Sequence, residues 1–214
     1  MNVLIGTQFT YRAVKHMETP QFCGQSCHSM NPEFAAYSVS SVTDKGNSIY
    51  KTAAALRKVN STTSSTELWY TAAGAVRSGV TSVTVNTSAV GRFGACADNY
   101  SGVASVGNPG AGATGSTTSE STAQTTIDSN NCIVAGIGQA ANTGTWTVSA
   151  GSLRTSVVGT TTCSATAIMD NTAASPGSVT TTATLSTTSV WAAVSLELRT
   201  VIPKTVTFVA EARR

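Results

Sequence analysis

The chain has 214 residues, of which 41% are apolar and only 11% charged, with a formal net charge of +3. Disorder goes with low hydrophobicity and high net charge, so this composition describes a folded protein whose polarity comes from Ser and Thr. The scattered basic residues, with no run before Arg213-Arg214, exclude an electrostatic nucleic-acid binder, and no apolar stretch reaches the roughly 18 residues of a membrane span.

The opening "NVLIGTQFTYRAV" reads as a first strand and lacks the charged start and apolar run of a secretion signal. Thr-rich, Lys-poor composition with long Gly/Ser loops is nonetheless typical of exported sandwiches and virion proteins. The expectation is an extracellular or cell-surface protein whose precursor begins upstream.

The next stretch, "ETPQFCGQSCHSMNPEF", is the densest in chemistry: Cys23, three residues, Cys27, then His28. From residue 38 the pattern changes to short alternating runs broken by turn residues, the signature of a sandwich or barrel. "SVSSVTD" and "SIYKTAAAL", joined by Asp44-Lys45-Gly46-Asn47, read as a hairpin. "TELWYTAA", "VTSVTVNTS" and "GRFGACADNYSGV" follow as strands, the last placing Phe93, Ala95 and Ala97 on one face.

Residues 105–121, "SVGNPGAGATGSTTSES", read as a flexible loop without core-forming residues. Beyond it "NCIVAGIGQA", "GTWTVSA", "TTTCSATAIMD", "SVTTTATLS" and "TSVWAAVSLELR" read as strands, with a turn at "DNTAASPG". After a break at Pro203, Val206 and Phe208 alternate with Thr205 and Thr207 as one more strand. Such a terminal strand either pairs with its own sheet or adds to a neighbouring subunit.

Enzyme signals are weak, and the chain is not expected to be an enzyme. The ten acidic residues are dispersed, and two histidines leave little for a Ser-His-Asp set. "GNPGAGATG" has no Lys-Ser/Thr ending for a phosphate loop. Trp69, Trp146 and Trp191 read as core rather than as a sugar platform, and Asp44 and Asn47 as turn formers rather than calcium ligands. Cys96, Cys132 and Cys163 fall on three strands, read as one intrachain disulfide plus one buried thiol, with Cys132–Cys163 a pair that would join strands of the C-terminal half.

Two resemblances sharpen this reading. "SVTDKGNSIYKTAAA", "TELWYTAA", "ADNYSGV" and "DNTAASPGSVTTTATLSTTSVWAAVSLELR" resemble a β-sandwich module of bacterial extracellular and phage-related proteins, over roughly residues 38 to 199. That likeness implies a non-catalytic binding, adhesive or structural module. "FTYRAVKHMETPQFCGQSCHSMNPEFAAY", about residues 8 to 37, resembles one haem-binding segment of the NapC/NirT family of multihaem c-type cytochromes, matching at Phe22, Cys23, Gly24, Cys27, His28, Met30, Pro32, Glu33 and Tyr37.

The cytochrome resemblance implies one covalent haem c, with Cys23 and Cys27 as thioether anchors, His28 as proximal iron ligand and Met30 as a possible axial ligand. His16, the second of two histidines, is the natural candidate for the other side of the iron, followed by Met17 and Met30, and a neighbouring subunit could equally supply it. The chain departs from the family in lacking a membrane helix, further C-x-x-C-H motifs and the "PH" after the tyrosine, so it is no quinol dehydrogenase. Two readings need no haem: a Cys23–Cys27 disulfide, or zinc held by Cys23, Cys27, His16 and a fourth group.

The expected architecture is an all-β sandwich, jelly-roll or Ig-like. Residues 1–37 form a first strand and a haem-bearing loop with at most a short helix, 38–199 the sandwich, and 200–214 an extension strand that pairs within its own chain or between subunits. The expected function is an extracellular electron-transfer subunit that polymerises through its terminal strands and passes electrons to haems of neighbouring copies or other redox proteins. The alternative is a structural or adhesive surface or virion protein without redox chemistry.

Overall fold

A computed structural model describes residues 2–10, 38–44, 50–52, 54–60, 64–71, 83–88, 91–100, 102–140, 143–159 and 164–200. Among these residues the chain is all-β: strands in antiparallel sheets, with one short 3-10 turn at Ala54–Leu56. In chain order they are β1 (Asn2–Thr10), β2 (Val39–Asp44), β3 (Tyr50–Lys51), β4 (Arg57–Asn60), β5 (Ser64–Thr71), β6 (Val83–Thr87), β7 (Gly91–Asn99) and β8 (Val103–Pro109). Then come β9 (Ala113–Gly115), β10 (Ser119–Thr126), β11 (Asn131–Gln139), β12 (Trp146–Ala150), β13 (Ser152–Val157), β14 (Ala165–Ala173), β15 (Gly177–Leu185) and β16 (Trp191–Thr200).

The central sheet runs β13-β14-β11-β16-β8, with β9 continuing beside β16. Nearly every residue of β11, β14 and β16 is buried, because sheets cover both faces. That explains runs such as "IVAGIG" and "WAAVSL", where strict alternation would betray a solvated face. Even-numbered Val134, Ile168, Val194, Leu196 and Leu198 pack with Leu68 and Cys96 of the sheet β3-β5-β1-β7, and with Leu56 of the 3-10 turn and Tyr100 just after β7. Odd-numbered Ile137, Ala165, Ala167, Met169, Trp191 and Ala193 pack with Trp146, Ala183 and Leu185 of the sheet β10-β15-β12. A third cluster, Val39, Val42, Tyr50, Trp69 and Val83, seats the small sheet β2-β6 on the far face of β5. The result is a sandwich thickened into a stack, each interface fed by alternate residues of one strand.

Several expected elements differ. The 38–56 hairpin does not form: β2 pairs with β6 and β3 with β5, because Val39 and Val42 are buried against Trp69 and Val83 rather than across a local turn. The expected loop at 105–121 contains β8, β9 and the start of β10. Its glycines serve close approach instead of flexibility: a Cβ on Gly115 would stand 2.6 Å from the Trp191 ring, and one on Gly107 would collide with the Glu197 carboxylate. Of the expected face Phe93, Ala95 and Ala97, the first two pack against the third cluster and Ala97 is exposed. The first strand is found as β1, held between β5 and β7 in its own chain. Asn47, Cys163 and residues 201–214 lie outside the described residues.

Candidate functional site

His16, Cys23, Cys27, His28 and Met30 all lie in residues 11–37, outside the described residues. The frame on either side of that segment is described. Thr10, the last residue before it, pairs with Gly91, and Ser38, the first after it, is bonded to Ser88. The Ser88 amide donates to the Ser38 carbonyl at 2.8 Å, and the Ser38 amide donates to the Ser88 hydroxyl at 3.0 Å. Ser88 and Gly91 are three residues apart, so by chain reach the two ends of the segment stand within roughly 20 Å of each other. Thr10 and Ser38, the described residues that flank the cysteine-histidine stretch, thus stand at one pole of the stack.

Glu67 secures the return point. On β5 it is 3% exposed, and its Oε1 accepts the Val39 amide at 3.1 Å and Arg57 Nε at 2.9 Å, while Oε2 accepts Trp69 Nε1 at 3.2 Å. Burial raises its pKa, and these donors oppose that rise. Sequence reading missed this role. The available signal was one acid inside the strand "TELWYTAA", where a buried carboxylate needs several donors.

The described cysteines are free thiols poorly suited to reaction. Cys96 is buried, its Sγ donates to the Thr166 carbonyl at 3.4 Å, and burial pushes its pKa up to about 12. Cys132 is raised to about 12 by burial and by Asp170, whose Oδ2 lies 3.9 Å from its sulfur. Asp170 is paired with Arg154, whose guanidinium stands 5.8 Å from the Tyr100 ring centre. This cluster sits at the pole opposite Thr10, since Tyr100 follows Asn99, which pairs with Asn2, whereas Gly91 at the other end of β7 pairs with Thr10. Cys132 is a free thiol, and its expected partner Cys163 lies outside the described residues.

The remaining acids are separated. Glu197 Oε1 accepts Asn131 Nδ2 at 2.7 Å and the Ile127 amide at 3.2 Å. Glu120 stands seven positions before Ile127, roughly 20 Å along the strand, so the two do not form an acid/base pair. Trp69, Trp146 and Trp191 are buried in the clusters, as expected of core aromatics. Among the described residues no group of three or more His, Cys, Asp or Glu could hold a metal ion, and no helix is long and apolar enough to cross a membrane. Comparison with protein-family models, curated proteins and solved structures finds no match for this chain.

Proposed function

We propose that the chain is an extracellular c-type cytochrome subunit in which a β stack carries one covalent haem on residues 11–37. The observation that carries this reading is the sequence Cys23-x-x-x-Cys27-His28 with its flanks, hung between two anchored flanking residues, Thr10 and Ser38. Cys23 and Cys27 would hold the macrocycle through thioethers, with His28 on one side of the iron and His16 or Met30 on the other. Bound haem supplies one-electron transfer. The chain's own contribution is to fix the segment's base through Glu67, Ser38 and Ser88, and assembly of copies would bring successive haems together. Variants test the reading in a host that attaches haem outside the cytoplasm. Cys23→Ala with Cys27→Ala should abolish haem retention through denaturation, and His28→Ala should keep haem but alter its spectrum. Colour unchanged by the double substitution would sink the proposal.

A second reading is a structural or adhesive protein stapled by a Cys23–Cys27 disulfide. It is favoured by the outer face of the sheet β10-β15-β12, where Ser119, Ser121, Thr125, Ser178, Thr180 and Thr147 form uncharged, solvent-facing hydroxyl rows suited to surface contact. Mass loss of two hydrogens on that pair, with no haem, would support it.

A further inference from the structure

The central sheet is held differently on its two faces. Toward β5 and β7 it presents Val134, Ile168, Val194 and Leu196 to Leu68 and Cys96. Toward the sheet β10-β15-β12 the hold is apolar on one flank, where Ile137, Ala167 and Met169 meet Trp146, Ala183 and Leu185. The β10 flank is polar: its inward residues Glu120, Thr122, Gln124 and Thr126 are all buried. What holds it to β16 is Ser195, whose hydroxyl bonds Thr122 Oγ1 and Gln124 Oε1 at 3.4 Å each, the long end of hydrogen-bond range. Neither carboxylate oxygen of Glu120 has a hydrogen-bond partner among the described residues, nor has the buried Thr181 hydroxyl opposite Thr122.

We infer that this polar flank is a proton-controlled seam: release of the Glu120 proton lets β10 lift off β16, hinged on the apolar contacts of β12 and β15. A carboxyl buried without donors stays neutral, because ionising it there costs the desolvation of a charge. Opening the seam brings water to the carboxylate, so opening and loss of the proton to solvent are one coupled step. No opposite charge holds the ion inside. Of the strands packed against β10, β8, β9 and β15 carry no titratable group, β11 carries Cys132, and β16 carries Glu197 and Arg199. Those three, with Asp128 in the turn after β10, lie toward the Ile127 end, where Glu197 accepts the Ile127 amide and Cys132 pairs with Leu198. In the closed chain burial raises the Glu120 pKa from 4.5 to about 9. Between those values opening eases by up to roughly tenfold per pH unit, so the seam is tightest in acid and loosens as pH rises.

Thiol trapping on the full-length protein tests this. Thr122→Cys puts a thiol on the inward face of β10, while the buried Cys96, in the other interface, reports global unfolding of the same molecule. With rates corrected for thiolate fraction, the introduced thiol should be alkylated roughly tenfold or more faster than Cys96 at pH 8. Its rate should climb by up to roughly tenfold per unit from pH 6 to pH 8, and adding Glu120→Gln should remove that climb. If Thr122→Cys does not fold, Thr181→Cys takes its place, since the Thr181 hydroxyl has no hydrogen bond to lose. Labelling no faster than Cys96 would show that the seam opens only with the whole fold and would overturn the proposal. A climb that survives Glu120→Gln would overturn it as well.

Discussion

Glu120 sits on β10 at 0% exposure with neither carboxylate oxygen hydrogen-bonded, and burial alone raises its pKa from an ordinary 4.5 to about 9. In this window the folded chain holds a proton that the unfolded chain has released. Stability therefore falls as pH rises from about 4.5 to about 9, the reverse of a salt-bridged acid. Glu120→Gln should flatten that slope and raise stability at pH 7 by on the order of 2 kcal/mol, with no gain at pH 4, read from urea unfolding. Glu67 has the opposite logic, because its donors are in place. Glu67→Ala strands the Val39 amide, Arg57 and Trp69 Nε1 and should cost about 3 kcal/mol, with Glu67→Gln losing less. Alkylation followed by mass measurement should find the buried Cys96 unmodified and the half-buried Cys132 slow to react in the folded protein, and both modified after unfolding, as expected of thiols raised to about 12.

At the scale of elements, the strands that showed in the sequence were those with apolar residues facing a core. β5, β11, β14 and β16 were legible because Leu68, Val134, Ile168 and Leu196 stand among β-branched and aromatic neighbours. β10 was not legible, since its buried positions are Glu120, Thr122, Gln124 and Thr126, and no hydropathy pattern marks a polar interior. β8 and β9 were hidden by glycines that read as a loop until Trp191 and Glu197 are seen to press on them. Strand pairing was also beyond local reading: the sequence of turns favoured a hairpin, and burial against Trp69 joined β2 to β6 instead. Gly115→Ala should therefore behave as a core substitution, costing about 1–3 kcal/mol in denaturant unfolding through contact with the Trp191 ring. A loop glycine would tolerate the change.

For the whole molecule, the central sheet, covered on both faces, ties the other layers into one stack. The chemistry-bearing segment is attached at the pole of Thr10 and Ser38, and the Cys132–Asp170–Arg154 cluster lies at the other pole. The cysteine spacing and the flanks of His28 were readable directly, but how the segment is anchored was not, because its anchors Glu67 and Ser88 are remote in sequence. The claim that this frame exists to carry a haem meets its most direct test in one measurement on natively produced protein. It is the visible absorption spectrum after denaturation and acid-organic extraction, taken together with intact mass. The expected result is a haem spectrum that stays with the polypeptide and a chain heavier by one haem. A colourless chain lacking only the hydrogens of a disulfide would contradict it.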